Sequence, residues 1–131
     1  MKYMLDTNMC IFLMKNRAEV VEKYKENKDF GISISAITAA ELQFGVFHSA
    51  QPVKNRNNLV MFFSGITVLD FDGSAALQYG QSRQQLQKVG TSIGTLDMLI
   101  AAHAKSREMI LVTNNTREFS RVNGLVLEDW L

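Results

Sequence analysis

Short apolar runs alternate along the chain with longer segments in which apolar residues repeat at helical spacing. The short runs predict β-strands at residues 2–5, 30–34, 66–69, 109–112 and 125–127. The longer segments predict helices at residues 9–15, 18–27, 36–48, 53–64, 74–88 and 95–107, with a helical turn at 117–121. Because the strands alternate with helices and lack a polar face, the pattern predicts an α/β fold with a parallel sheet covered by helices on both faces.

Residues that favour helix ends support these boundaries. Ser35 stands directly before the helix at 36–48, where its side-chain oxygen can accept a backbone N–H bond as an N-cap. Gly90 follows the longest predicted helix, at the position where glycine often ends a helix. The first helix can be capped in the same way as the third, by Asp6, Thr7 or Asn8.

The length and composition predict a single folded domain. A chain of 131 residues has the commonest domain size, so we expect one domain over residues 1–131. Hydrophobic residues make up 47% of the chain and charged residues 21%, which is enough to bury a core and excludes a disordered protein. The one proline, Pro52, and the absence of low-complexity tracts argue against internal linkers.

Few residues of the chain can serve disulfide or imidazole chemistry. Cys10 is the only cysteine, which excludes an internal disulfide and a multi-cysteine zinc site. The two histidines, His48 and His103, lie on predicted helices without metal-ligand spacing, so core or surface roles are expected for them. There is no signal-peptide pattern and no apolar run of the roughly 20 residues needed to span a bilayer, which predicts a cytoplasmic protein without membrane contact.

Three carboxylates stand inside segments that otherwise have a buried character. Asp6 ends the first apolar strand, Glu41 interrupts the apolar helix at 36–48, and Asp97 opens an apolar helix. Desolvating a lone carboxylate costs several kcal/mol, so a buried acid is normally paired or bound to metal. None of the three has a basic neighbour in sequence, and one shared divalent cation, Mg²⁺ or Mn²⁺, is the expected ligand. Clustered acids would also repel, raising at least one pKa.

Each acid also has an ordinary structural explanation. Asp6 can be a simple N-cap, Glu41 can pair with Arg56 or extend to solvent, and Asp97 can favour the helix dipole. Neighbouring polar residues can orient carboxylates or water, or can be ordinary turn residues; these are Thr7, Asn8, Thr113, Asn114 and Asn115. A net charge of +1 does not decide whether nucleic acid binds, because a basic rim and an acidic pocket cancel in the sum.

Four segments in chain order resemble the PIN-domain ribonucleases. They are residues 4–8, residues 35–45 with Glu41, residues 97–104, and residues 112–115 followed by Glu118 and Phe119. Within that family the chain is most similar to the VapC toxins of bacterial toxin–antitoxin pairs, including the closing segment at 125–130. The resemblance covers essentially the whole chain.

The resemblance implies a PIN-like three-layer α/β/α fold and a Mg²⁺-dependent endoribonuclease that halts translation. The members most similar to this chain cleave initiator tRNA in the anticodon loop, so that RNA is the expected substrate. The family's metal ligands correspond to Asp6 and Asp97, with Glu41 as the third acid of the catalytic site. The supporting residues would be Thr7, Asn8, Thr113, Asn115 and Glu118.

The resemblance also implies partners. It predicts a homodimer, a VapB-type antitoxin that inserts a segment into the active site, and binding to operator DNA only through that antitoxin. Exposed apolar residues of the segments 18–27 and 53–64 are candidates for these contacts, with core packing as the alternative. Basic residues that can steer RNA are Lys15, Arg17, Arg83, Arg117 and Arg121.

One position departs from the family pattern. Many members carry a fourth acid where this chain has Asn115. Either Glu118 supplies the missing negative charge, or the site holds one metal ion more readily than two. The departure leaves a second interpretation open, in which the chain is a catalytically weakened PIN-like module that binds RNA or protein without cutting.

Overall fold

The computed structural model describes residues 1–131 and is built around one five-stranded, wholly parallel sheet. Its strands are β1 (Tyr3–Leu5), β2 (Ile32–Ser35), β3 (Thr67–Leu69), β4 (Ile110–Val112) and β5 (Val126–Glu128). Each lies within two residues of its predicted bounds. The largest difference is in β2, which starts after Gly31 because a short 3-10 helix (Lys28–Phe30) precedes it and ends at Gly31. Gly31 has a left-handed φ of 88°, and a Cβ there would lie 2.8 Å from the Met1 backbone, so glycine is required at this position.

The helices connect these strands on both faces of the sheet. They are α1 (Thr7–Met14), α2 (Ala18–Asn27), α3 (Ala36–His48), α4 (Pro52–Ser64), α5 (Gly73–Lys88), α6 (Thr95–Ser106) and α7 (Thr116–Phe119). Ser35 caps α3 as predicted, and Gly90 has the expected positive φ of 76° after α5. Among the helices, none combines the length and the apolar character that a membrane span requires.

The strand order β3-β2-β1-β4-β5 places a topological switch point beside the central strand. The chain moves from β1 outward through β2 and β3, and then returns to add β4 and β5 on the other side of β1. The segments that follow β1 and β4 therefore meet at the same end of the sheet, where the backbone N–H of Asp6 donates to the Val112 carbonyl at 3.0 Å. In open α/β sheets this crevice is where ligands bind.

Alternate residues of the central strand pack into two separate apolar cores. Tyr3 and Leu5 lie in the core that α1 to α4 cover, whereas Met4 lies in the core that α5 to α7 cover. All three side chains are at most 3% exposed. A strand buried on both faces needs apolar residues at every position, and this explains why the strands lack a polar alternation. The predicted three-layer α/β/α fold is confirmed.

Truncating a side chain of the inner core should destabilise the protein far more than the same truncation on its surface. Leu111 in β4 is fully buried, so we expect Leu111→Ala to lower the free energy of unfolding by about 2–5 kcal/mol. Leu77 on α5 is 62% exposed and makes a matched control, for which we expect a change within about 0.5 kcal/mol. Urea unfolding measures both variants, and equal losses would contradict the assigned packing.

Candidate active site

Asp6 is both a helix cap and a buried acid. It follows β1 directly, and its Oδ1 accepts the backbone N–H of Met9 at 2.8 Å, so the N-cap explanation is correct for one oxygen. Its Oδ2 accepts a hydrogen bond from the hydroxyl of Thr113 at 2.6 Å, across the switch point. The residue is only 5% exposed. A cap at a solvent-exposed helix start needs neither this burial nor a second donor from a distant strand.

Behind Thr113, the turn after β4 forms a short hydrogen-bond relay. The backbone N–H of Asn115 donates to Thr113 Oγ1 at 2.9 Å, which orients the hydroxyl toward Asp6. The side-chain amide of Asn115 donates to Glu118 Oε2 at 2.9 Å. The predicted supporting residues Thr113, Asn115 and Glu118 therefore lie in one connected network.

Glu41 enters the site from α3 and is held by a threonine of α1. Thr7 Oγ1 donates to Glu41 Oε1 at 2.6 Å, while Glu41 itself is partly buried. The ion pairs of the structure do not include Glu41, so the alternative of a pair with Arg56 is wrong. The other carboxylate oxygen of Glu41 has no hydrogen-bond partner and remains able to accept one.

Asp97 lies in the first turn of α6 and is partly buried. Its side chain takes part in no ion pair. A Cβ built on Gly94 would come within 3.8 Å of Asp97 Oδ2, so the bare glycine backbone borders this carboxylate closely. A helix-dipole role and a role in the site are compatible at this position, because the first turn of a helix favours a negative charge in either case.

The carboxylates share one electrostatic field. Burial raises the pKa of Asp6 from its ordinary value of 3.8 to about 6; the charges of Asp97 and Glu41 act in the same direction, against the hydrogen bonds from Thr113 and Met9. Burial also raises the pKa of Asp97, as do the charges of Glu41 and Glu118. The expected repulsion among clustered acids is thus present, and it brings Glu118 into the cluster as a fourth acid.

The donor set fits a cation held by few protein ligands. No group of three or more His, Cys, Asp or Glu side chains is arranged to hold a metal ion together, so direct ligation by Asp6, Glu41 and Asp97 in common is not what the structure has. Mg²⁺ commonly takes only one or two carboxylates and fills its remaining positions with water and substrate phosphate. The oxygen chemistry of Asp6 and Asp97, and the raised pKa of each, fit such a two-carboxylate arrangement.

Some predicted residues lie outside this network. Asn8 is exposed and makes no side-chain hydrogen bond to the acids, and Asn114 is exposed and donates instead to Asp129 at 3.3 Å. Thr38, which was not predicted, is fully buried and lies 3.4 Å from Thr7 through their hydroxyl oxygens. The sequence could have indicated Thr38, because it lies three residues before Glu41 and therefore on the same helix face.

A cleft of about 320 Å³ reaches the site between α1, α3 and α4. Glu41 and Lys15 contribute charged groups to it, and most of its other lining is apolar: Ile11, Met14, Leu42, Val46 and Leu59. A larger cleft of about 660 Å³ lies at the start of α4 and contains none of the acids. The smaller cleft is therefore the relevant one, because Glu41 lines it together with these apolar residues, although Asp6 and Asp97 do not line it.

Comparison with known proteins identifies the family. The family model of the PIN domain matches residues 3–125. A tRNA(fMet)-specific endonuclease VapC of Shigella flexneri is 47% identical over 131 residues, which cover 99% of this chain and 98% of that relative. A protein of the same name from Salmonella typhimurium is 43% identical over 130 residues, with the same coverage. The chain belongs to the PIN-domain family, as one of its VapC ribonucleases.

Solved structures agree with this placement. A chain of VapBC2 from Rickettsia felis, bound to a DNA fragment from their promoter, superimposes with a TM-score of 0.95 at 37% identity, and the match covers both chains completely. A DNA-bound VapBC of Salmonella typhimurium gives a TM-score of 0.95 at 43% identity, covering 100% of this chain and 99% of that one. Nucleases of the PIN family generally depend on a divalent metal ion.

The buried charge of Asp6 should make stability fall as the pH rises. The folded protein binds a proton at Asp6 more tightly than the unfolded chain does. The contribution of Asp6 to the free energy of unfolding therefore declines as the pH rises from about 4 through about 6. Asp6→Asn removes this titration. Without divalent cations, the free energy of unfolding of the variant should therefore rise relative to that of the wild type, by up to about 3 kcal/mol between about pH 4 and about pH 6.

Asp72 offers a matched control for this experiment. It caps α5 in the same way, because its Oδ1 accepts the backbone N–H of Ala75, three residues further along the chain. That bond, with the nearby Arg107 charge, lowers the pKa of the exposed Asp72, so its contribution to stability is lost as the pH falls. Asp72→Asn should consequently shift the pH dependence in the opposite direction. Urea unfolding in EDTA between pH 4 and 8 measures both; parallel curves for Asp6→Asn and wild type would refute the assigned burial of charge.

Proposed function

We propose that the protein is the toxin of a VapBC pair, a metal-dependent endoribonuclease that stops translation by cutting initiator tRNA in the anticodon loop. The observation that supports this most directly is the Asp6 carboxylate, enclosed at the switch point beside two other acids with its pKa raised to about 6. An uncompensated buried anion of this kind favours a cation. The substrate follows from the relatives named tRNA(fMet)-specific endonuclease, which match nearly all of the chain.

The cation is proposed to be Mg²⁺, with Mn²⁺ as a substitute, held by Asp6 and Asp97. When bound, it would supply positive charge to the scissile phosphate and lower the pKa of a water beside it. The protein's contribution is to hold the two carboxylates ionised and in place. Thr113 and the Met9 N–H do this for Asp6, since each donates to one of its oxygens and thereby favours the charged form.

Glu41 is proposed to orient the attacking water. Its Oε1 is occupied by the Thr7 hydroxyl, and this bond leaves the second oxygen to accept a proton or a hydrogen bond from water. The water oxygen forms a bond to phosphorus while the bond from phosphorus to the 3′-oxygen breaks in line with it. The water's proton passes to Glu41, the 3′-oxygen leaves as a hydroxyl after protonation from solvent, and the new end carries a 5′-phosphate.

Glu118 is proposed to take the part of the acid that many relatives have at the position of Asn115. The amide of Asn115 holds Glu118 Oε2, and the Glu118 charge raises the pKa of Asp97, so the negative charge lies near the site although it comes from a different residue. This arrangement supports activity with one cation. It also argues against a decayed, binding-only module, because the acidic field of the site is retained.

Basic residues at the rim are proposed to hold the RNA backbone. Arg83, Arg117 and Arg121 are exposed and take part in no ion pair, so their charges are available to phosphates. Lys15 lines the same cleft as Glu41. Arg17 is a weaker candidate, because it pairs with Glu19 at 3.5 Å.

An antitoxin segment is proposed to bind along the apolar groove beside Glu41. The helices α3 and α4, which line this groove, also carry exposed apolar side chains outside it: Phe44, Phe47, Val53, Val60 and Met61 are each at least 59% exposed. The segment 18–27 is not part of that surface, because Val20 is fully buried and no large apolar residue of α2 is exposed. A basic side chain of the antitoxin could pair with Glu41 at the end of the groove.

Assembly beyond this contact is also a proposal. The complexes of Rickettsia felis and Salmonella typhimurium VapBC contain DNA, which supports an antitoxin partner that brings this protein to its operator. A net charge of +1 gives the toxin itself little general attraction for a duplex, so DNA binding is assigned to the antitoxin. The homodimer stays a proposal that rests on the family resemblance.

Neutralising Asp97 should abolish cleavage. We expect Asp97→Asn to lower the rate of RNA cleavage in Mg²⁺ by at least about 100-fold, since even outer partners of a metal ligand are worth about 10- to 100-fold. Asp29→Asn is the matched control, because Asp29 is exposed in the turn before β2 and should leave the rate unchanged. Full activity of the wild type in EDTA would eliminate the cation from the mechanism, and a wild type that binds but never cuts would favour the binding-only module.

Mapping new RNA ends should identify the substrate. Purified protein incubated with total bacterial RNA, with and without Mg²⁺, is expected to produce 5′-phosphate ends within the anticodon loop of initiator tRNA and not in elongator methionine tRNA. Recognition of RNA depends on loop shape and unstacked bases, so an isolated anticodon stem-loop should be cut more slowly than the folded tRNA. Ends distributed over many RNAs would rule out the proposed specificity while leaving the nuclease activity intact.

A further inference from the structure

His103 is a polar ring inside an apolar helix face and has no role in the mechanism above. It is 0% exposed, as are its neighbours Ala102 and Ala104 on α6. Its Nδ1 lies 2.7 Å from the Oγ of Ser35, while its Nε2 is buried without a hydrogen-bond partner. Of the two ring nitrogens, only Nδ1 thus has a side-chain hydrogen-bond partner, and that partner is Ser35.

The hydrogen-bond partner of His103 stands at the junction between two elements of the active site. Ser35 is the last residue of β2 and the N-cap of α3, where its Oγ accepts the backbone N–H of Ile37 at 3.1 Å. The strand β2 pairs with β1, which leads into Asp6, and α3 carries Glu41. His103 itself lies on α6, the helix that carries Asp97. This bond therefore joins α6 directly to the junction that leads to Glu41, and it joins α6 to the strand before Asp6 through the pairing of β2 with β1.

No other side-chain hydrogen bond joins α6 to β2 or α3. The remaining contacts of this helix with the core are apolar and include Met98, Ile100, Ala101 and Ala104. Apolar contacts are non-directional, so they restrict the position of a helix along its own axis less sharply than a hydrogen bond does. A hydrogen bond prefers a narrow range of distance and angle, and it can set that position.

We propose that His103 is a positioning residue of the nuclease, whose bond to Ser35 fixes α6 against the β2–α3 junction and so fixes Asp97 relative to Asp6 and Glu41. The inference rests on the proposed function, because it presupposes that these acids cut RNA. A misplacement of about 1 Å at a reacting group can reduce a rate by about 100-fold, so a small shift of α6 would be felt in catalysis.

The bond to Ser35 can be made by a neutral side chain. Burial lowers the pKa of His103, and the Arg107 charge acts in the same direction against Asp72 and Asp70, which leaves the ring neutral at neutral pH. A neutral amide group at the position of Nδ1 can then replace the imidazole ring as the hydrogen-bond partner of Ser35. The amide of asparagine occupies this place, one bond from Cγ, whereas the amide of glutamine lies one bond further, nearer to Nε2.

His103→Asn and His103→Gln therefore introduce the same polar group at two different positions, so a difference between them reports the position of the group and not its polarity. Each is measured for cleavage of purified initiator tRNA in Mg²⁺, at a temperature where circular dichroism shows it fully folded. We expect His103→Gln to lower kcat by about 10- to 100-fold with KM changed by less than about threefold. His103→Asn should restore most of kcat. Equal kcat values in the two variants, or a wild-type kcat in His103→Gln, would overturn the proposal.

Ser35→Ala tests the same bond from its other end and keeps the core filled if His103→Gln fails to fold. It also removes a helix N-cap, so Asp72→Ala is the control. That variant loses a cap on a helix without a site acid, and it also loses the 3.8 Å ion pair of Asp72 with Arg107 at the end of α6, so it tests whether any lost contact to α6 affects the rate. We expect kcat to fall in Ser35→Ala and not in Asp72→Ala, although both lose some stability. Equal kcat values in these two variants would refute the positioning role.

The proposed function can be judged separately in the same assay. If the wild type does not cleave initiator tRNA or any other RNA, the nuclease assignment fails, and with it the role of His103. If the wild type cleaves and Asp97→Asn does not, the nuclease assignment stands, and the comparison between His103→Asn and His103→Gln decides the positioning role alone.

Discussion

The structure depends on keeping one carboxylate out of water at the centre of a parallel sheet. Asp6 is 5% exposed, and burial is the main reason that its pKa rises to about 6. Two hydrogen bonds, from Met9 and Thr113, offset part of the desolvation but leave an anion without a countercharge. A bound cation would supply that countercharge, so the site is least stable in its charged, metal-free form. Natural proteins retain such a destabilised group where the chemistry needs it.

The other acids reach Asp6 only because the fold brings four separate segments together. Glu41 is 35 residues from Asp6 and is joined to it through Thr7, while the turn after β4 supplies Thr113, more than 100 residues away. The same turn holds Glu118 through Asn115. An amide at this position therefore hydrogen-bonds a carboxylate whose charge acts on Asp97, and the arrangement remains compatible with the catalysis of the family.

Much of the fold could be predicted from local patterns. All five strands and seven helical segments lie within about two residues of their predicted bounds, because β-branched runs, caps at Ser35 and Asp6, and the glycine after α5 act through neighbours in sequence. The start of β2 was missed, since a short 3-10 helix ends at Gly31, where the nearby backbone of Met1, a residue far from it in sequence, leaves room only for glycine. The absence of an ion pair between Glu41 and Arg56 was likewise not visible, because both ends of such a pair are set by packing.

The sequence by itself determined which residues are the candidates for the chemistry: acids inside apolar segments are costly wherever they fold, so the pattern alone singles out Asp6, Glu41 and Asp97. Only the tertiary structure decided how they act together. It engages both oxygens of Asp6, leaves one oxygen of Glu41 free, keeps Asn8 out of the network, and links His103 to Ser35. The physical reason is that hydrogen bonds and desolvation act over a few ångströms in space, and strand order, which no local pattern encodes, decides which residues come that close.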